Sequence, residues 1–294
     1  MTVRAPELKL QQVSGPSALG GGPRRFFDLL WLLSITEFKR IYFGTVLGYL
    51  WSLIRPLLLF GVLLFVFTKV FRIGSTLVDH YAVMLLLGIV LYTFFQEASS
   101  NAVTSVVAQE GVVRKTQFPR LVIPLSTVVT GGLNLGLNLI VVLAFVLAFG
   151  VDPAWTWLLF PVALVLLFVF TATVSMALSV LYVRFRDVAI IWTVVSQVLL
   201  YMTPILYPVN AFHNKTYEHL LMINPLAVIF TQVRVWILHE PQVPSGPNQP
   251  YAPTAVEAAG GWLGLLPAAA IFVGVCIYGV WIFKREAPRI AEAL

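Results

Sequence analysis

Apolar residues in this chain run in long stretches, separated by short polar or glycine- and proline-rich breaks. Stretches at about 46–70, 82–106, 121–149, 155–182, 188–207 and 262–283 each approach or exceed the roughly 20 residues a bilayer-crossing helix needs. The pattern therefore predicts an all-α integral membrane protein with six spans. Ahead of the first span, Phe27, Leu30, Trp31, Ser34, Phe38 and Ile41 recur every three or four residues, with Asp28, Glu37, Lys39 and Arg40 between them. That predicts an amphipathic helix over 26–42, lying along the inner leaflet.

The segment 220–238 is apolar but broken by Asn224-Pro225 and carries Arg234. It is expected to form one or two short helices that dip into the outer leaflet and return, because a crossing here would invert the charge bias of the tail. Pro204 and Pro208 should end the fifth span near the outer surface. The proline-rich stretch 241–253 reads as an external loop, so 209–260 forms an external gate and loop region. Residues 1–25 have no apolar core of a signal peptide, and 14–23 are rich in Gly, Pro and Ser; they read as a flexible cytoplasmic tail preceding one permease-like unit over 26–290.

Charge fixes the orientation. With the N-terminus inside, the cytoplasmic side collects Arg4, Lys9, Arg24, Arg25, Lys39, Arg40, Arg114, Lys115, Arg120, Arg184, Arg186, Lys284, Arg285 and Arg289. The outer side receives Lys69, Arg72, Lys215 and Arg234. Both termini are expected in the cytoplasm. A mean hydropathy of +0.88 excludes an ordinary soluble domain. The net charge of +6 is explained by this bias and by anionic lipid, so no nucleic-acid partner is implied. Cys276 has no cysteine to pair with and reads as a small core residue.

Polar residues inside the spans are the candidates for function. Arg55 sits next to Pro56 in span one, where an arginine must snorkel, find a partner or face a polar cavity; a structural and a functional reading both stand. Span three holds Asn134 and Asn138, four apart on one face, beside the small pair Gly132 and Gly136. The amides serve helix packing or line a pathway. Span five carries Thr193, Gln197 and Tyr201 at a spacing of four. The cytoplasmic loop 109–120 is a connector or a short helix offered to a partner.

Several chemistries lack their residues. There is no G-x-x-x-x-G-K-[ST] phosphate loop and no H-E-x-x-H, and His80, His213, His219 and His239 are scattered, so no metal site is expected. Glu97 is the one candidate intramembrane acid, whereas ion-coupled carriers bury carboxylates at mid-membrane. What remains is a pathway driven by another polypeptide.

The run from Phe38 to Leu58, FKRIYFGTVLGYLWSLIRPL, resembles the opening signature of permease subunits of ABC type 2 polysaccharide exporters. Four more blocks agree in order: Val113-Arg114-Lys115-Thr116-Gln117-Phe118-Pro119-Arg120 with Pro124-Leu125, Tyr182-Val183-Arg184-Phe185-Arg186-Asp187-Val188, Thr203-Pro204-Ile205-Leu206-Tyr207-Pro208, and Asn224-Pro225-Leu226. The likeness spans roughly 26–290. Thr45 stands where the family often has Ser, and the proline-rich loop 241–258 looks like an insertion.

The resemblance implies a homodimer of six-span permeases bound to two ATPase subunits in a bacterial inner membrane. ATP and Mg would belong to the partner, with no cofactor and no catalytic site in this chain. The cargo would be a lipid-linked glycan, such as an O-antigen, teichoic acid, capsule or galactan. A lipid or drug exporter of the same fold, or an ion-coupled secondary transporter, is the alternative. On this reading Arg114, Lys115, Thr116, Gln117, Phe118, Glu37 and Lys39 dock the ATPase. Tyr49, Trp51, Asn134, Asn138, Trp192, Gln197 and Tyr201 line the substrate pathway, since aromatic faces and amides hold sugar rings weakly at many positions. Arg40 and Arg55 meet the lipid diphosphate; the structural alternative pairs Arg55 with Glu97 and leaves Arg40 to bulk lipid. Pro204, Tyr207, Pro208, Asn224 and Pro225 form the external gate. Trp155, Trp157 and Trp262, at span ends, read as interfacial anchors or packing residues.

Overall fold

The computed structural model describes residues 22–42, 48–70, 80–111, 119–209, 215–238 and 253–287. Among these the regular structure is helical throughout. In chain order the helices are α1 (Gly22–Tyr42), α2 (Leu50–Phe65, continued by a π-helical turn Val66–Val70), α3 (Tyr81–Ala108), α4 (Val122–Ala148), α5 (Phe160–Arg184, preceded by the 3-10 turn Trp155–Leu159), α6 (Val188–Met202), α7 (Lys215–Leu221), α8 (Pro225–Leu238), α9 (Ala255–Ala258) and α10 (Leu266–Glu286, preceded by Trp262–Leu265).

Five of these stretches are long and apolar enough to cross a membrane: Leu50–Val70, Tyr81–Ala108, Val122–Ala148, Trp155–Arg184 and Trp262–Glu286. The expected fifth span is shorter than read from the sequence. Its helix stops at Met202, and Thr203–Val209 continues as a buried, non-helical turn capped by the two prolines. At 15 residues α6 reaches only about 22 Å. Helices α7 and α8 meet at a bend of 106° across Asn224-Pro225, the geometry of either a broken span or a re-entrant pair.

Helix α3 is the centre of the bundle. Most of its side chains are buried, and it packs on α4, α5 and α6. Close approach depends on glycine where a Cβ would collide. One at Gly132 would lie 2.4 Å from the Phe168 ring of α5, and one at Gly131 would lie 3.1 Å from Ala98 of α3. Gly136 meets nothing within 4 Å, so the working small-residue pair is 131/132 rather than 132/136. Helix α4 ends in a Schellman motif: Gly150 takes φ +77°, its N–H bonds Leu147 O at 3.1 Å, and Val151 N–H bonds Val146 O at 3.2 Å.

Helix α2 is the opposite case, with Pro56 and Phe60 its buried residues. Helix α1 packs lengthwise on the first half of α4. Ser34, wholly buried, donates to Ser126 O at 3.3 Å, and Thr130 Oγ1 donates back to Ser34 O at 3.1 Å. The Phe27 and Trp31 face of α1 stays exposed.

Candidate functional site

Helices α1, α2, α3 and α4 enclose a cavity of about 640 Å³. It is lined by polar groups at a regular spacing. Thr93, Glu97, Asn101, Ser105 and Gln109 recur every fourth residue of α3; Ser126, Thr130, Asn134 and Asn138 do the same on α4. Positions four apart share a helix face, so two polar ladders meet across one space. They cover the cytoplasmic halves of both helices, given the orientation that charge implies. Arg40 and Glu37 of α1 and Trp51, Ser52 and Arg55 of α2 complete the walls.

Two ion pairs stand at the cavity. Arg40 Nη2 meets Glu37 Oε1 at 2.6 Å, and Arg55 Nη1 meets Glu97 Oε1 at 3.3 Å. The second is the structural partner expected for Arg55. It is single-pronged, and the Arg55 side chain remains 80% exposed, so the rest of the guanidinium fork is open. Such exposed pairs contribute about 0–1 kcal/mol, which a competing anion can replace.

The amides are also engaged. Tyr42 donates its hydroxyl to Asn134 Oδ1 at 3.0 Å. Burial, reinforced by the Glu97 charge, pushes the Tyr42 phenol above its ordinary value, so it remains a neutral donor. Asn138 Nδ2 donates both to Asn134 O at 2.9 Å and to Ser52 O of α2 at 3.2 Å.

The structure divides the sequence candidates. Arg40, Arg55, Trp51, Asn134 and Asn138 converge on the cavity, and Glu37, expected at the docking surface, lines it too. Tyr49 stands beside it, stacked on Phe38 with centroids 5.2 Å apart. Trp192 is turned into the core, donating its indole N–H to Ser99 Oγ at 3.1 Å and packing edge-on against Phe95. Gln197 and Tyr201 lie on the exposed side of α6, away from the cavity. Lys39 is exposed; Arg114, Lys115, Thr116, Gln117 and Phe118 lie outside the described residues.

The residues expected at the external gate pack together. Pro204, Pro208 and Pro225 are buried. Tyr207 donates to Tyr201 O at 2.7 Å, and Tyr81 donates to Leu206 O at 2.7 Å. Asn224 bridges the two segments: its Nδ2 reaches Thr203 Oγ1 at 3.1 Å while its Oδ1 caps the Leu226 N–H at 3.0 Å. Trp155 and Trp262 are exposed, whereas Trp157 ties the 3-10 turn to α8 by donating to Ile237 O at 3.1 Å.

Sequence reasoning missed the α3 ladder and Tyr42. The signal was present: a polar residue at every fourth position from Thr93 to Gln109, in a helix otherwise apolar enough to span.

Membrane-crossing helices around a polar, partly open cavity define a multi-pass membrane protein built for transport. The chain belongs to the ABC-2 type transporter family, whose profile matches residues 28–238. It is 33% identical over 202 residues to an O-antigen export system permease protein RfbA of Klebsiella pneumoniae, covering 68% of this chain and 76% of that one. It is 28% identical over 221 residues to the protein of that name from Myxococcus xanthus, covering 75% and 84% respectively. Membership makes the chain a transporter component and implies an ATPase partner.

Proposed function

We propose that this chain is the membrane-spanning subunit of an ATP-driven exporter that moves a lipid-linked polysaccharide from the cytoplasm across a bacterial inner membrane. Two copies work with two separate ATPase subunits, which bind ATP and Mg. Residues 26–290 are the permease unit, with both termini cytoplasmic and 209–260 as its outer gate.

The observation that carries this reading is the cavity, which gathers two arginines, two glutamates, a tryptophan and four side-chain amides. That inventory suits an amphiphile with a phosphate next to sugars. Arg55, with an open fork, takes phosphate oxygens, and Arg40 assists at the rim. Trp51 offers an apolar face to sugar C–H groups, and the ladders offer hydrogen bonds to hydroxyls. The relatives named as O-antigen permeases support the same class of cargo. Tyr201 and Gln197, exposed on α6, continue the pathway where two copies face each other. The ATPase docks on the loop 109–120, through Arg114 to Phe118, and on the exposed side of α1 at Lys39.

Reconstitution tests the reading. The chain alone in proteoliposomes hydrolyses no ATP; with its ATPase partner it hydrolyses ATP and translocates a polyprenyl-diphosphate glycan. Arg55→Ala slows translocation at normal protein level. Transport that persists without the ATPase and collapses with the proton gradient contradicts it.

A further inference from the structure

Proline 56 lies inside α2 and has no N–H, so the carbonyl of Ser52, four residues earlier, loses its helical partner. That carbonyl is the acceptor for Asn138 Nδ2 of α4, at 3.2 Å. The side chain of one helix thus supplies the hydrogen bond that the proline removes from another. The turn it grips carries Trp51, Ser52 and Arg55, the part of α2 that walls the cavity. One residue from the proline, Arg55 makes the second polar tie, to Glu97 of α3.

The Ser52 side chain adds a hydrogen bond with Tyr42 of α1. The buried side chains of α2 are Pro56 and, beyond it, Phe60, which meets Phe145 of α4 edge-on at 5.9 Å. The outer half of α2 is thus anchored by Phe60 and by Leu57, Leu63 and Leu64 against the core, while the inner turn is held by polar ties on α1, α3 and α4 and by Tyr49 against Phe38 and Tyr42 of α1. A proline between an anchored half and a polar-tied half is where a helix bends.

We propose that Pro56 is a hinge and that Asn138 is a positioning residue, the catch that holds the inner turn of α2 closed over the cavity. Glu97 is an independent second catch, acting through Arg55. Opening both exposes the ladders of α3 and α4 sideways between α2 and its neighbours. The proposal needs only a transporter that must admit cargo, and stands apart from the phosphate assignment to Arg55.

The experiment is a double-mutant cycle read by thiol reactivity. Cys276 is replaced by Ala, and Thr93→Cys places a half-buried reporter on the cavity ladder of α3. Trp262→Cys, in a separate chain, is a remote and exposed control. The full-length protein is held in lipid nanodiscs, where a water-soluble maleimide reaches both faces. Asn138→Ala speeds labelling at 93 about five-fold, the population change that losing one ordinary hydrogen bond gives. Pro56→Ala restores an N–H for the Ser52 carbonyl, so adding Asn138→Ala in that background leaves labelling unchanged. Glu97→Gln speeds labelling in both backgrounds, because its tie bypasses Ser52. An equal effect of Asn138→Ala with and without Pro56 overturns the hinge. So does unchanged labelling in Asn138→Ala, or a matching rise at position 262, which would mark general loosening.

Discussion

Gly279 sets the distance between α5 and α10. A Cβ there would lie 2.3 Å from the Thr173 carbonyl oxygen, which is backbone and cannot rotate aside. Gly279→Ala should therefore force the two helices apart and cost about 1–3 kcal/mol. Gly274, on the same helix, has open space at its Cβ, so Gly274→Ala should be neutral or stabilising by up to about 1 kcal/mol. Thermal unfolding of the two variants side by side in detergent checks this; equal melting temperatures would refute the packing assignment. Asn224 is a second sensitive residue. Asn224→Ala removes both the α8 cap and the tie to Thr203, and should lower stability by about 0.5–2 kcal/mol by the same measurement. At this scale the sequence was partly legible. Arg55 and Glu97 were conspicuous because charge within a span demands a partner. The α3 ladder was overlooked because its members are mostly small: Thr93 and Ser105 hardly dent the hydropathy, and only their common spacing with Glu97, Asn101 and Gln109 marks a face.

The elements separate into those that hydropathy alone defines and those that tertiary contacts define. Helices α2, α3, α4, α5 and α10 follow the apolar runs closely, because length and apolarity decide a span. Helix α6 was overestimated, since the apolar run continues past Met202 into a turn whose apolar residues, Ile205 and Leu206, are buried by α3 and its surroundings. A Cβ on Gly88 would lie 2.9 Å from Ile205, so the turn rests directly on α3. That contact is between distant parts of the chain and leaves no local periodic signal. The α7–α8 pair was legible from Asn224-Pro225, which breaks the helix where the structure bends by 106°. The reading of that pair as re-entrant makes a topological prediction. With Cys276 replaced by Ala, Lys215→Cys and Asn248→Cys should both react with an impermeant thiol reagent applied to intact cells. Labelling of the two from opposite sides would turn the pair into a crossing. The loop 109–120 carries its own expectation: Arg114→Glu with Lys115→Glu should uncouple ATP hydrolysis from export while the protein still folds and inserts. Unaltered coupling in that double variant removes the loop from the ATPase contact.

Among the described residues, an apolar exterior surrounds a polar compartment. The exposed large side chains of α2, α6 and α10 suit lipid or a second copy, whereas the cavity suits neither. Membership of the ABC-2 type transporter family gives that compartment a purpose, and the proposed cargo follows from its cations, amides and tryptophan together. Fold and family were within reach of the sequence, through six hydrophobic runs and five motif blocks in order. The cavity was not, because it depends on α1 packing on α4 and on α2 packing against both α3 and α4. The most direct test of the central claim is to deplete this chain in living cells and identify the lipid that accumulates in the cytoplasmic leaflet. The account predicts a polyprenyl-diphosphate-linked glycan, and the same species, in smaller amount, in cells carrying Arg55→Ala. Accumulation of an unglycosylated phospholipid or of a small amphipathic solute, with glycan export intact, would contradict it.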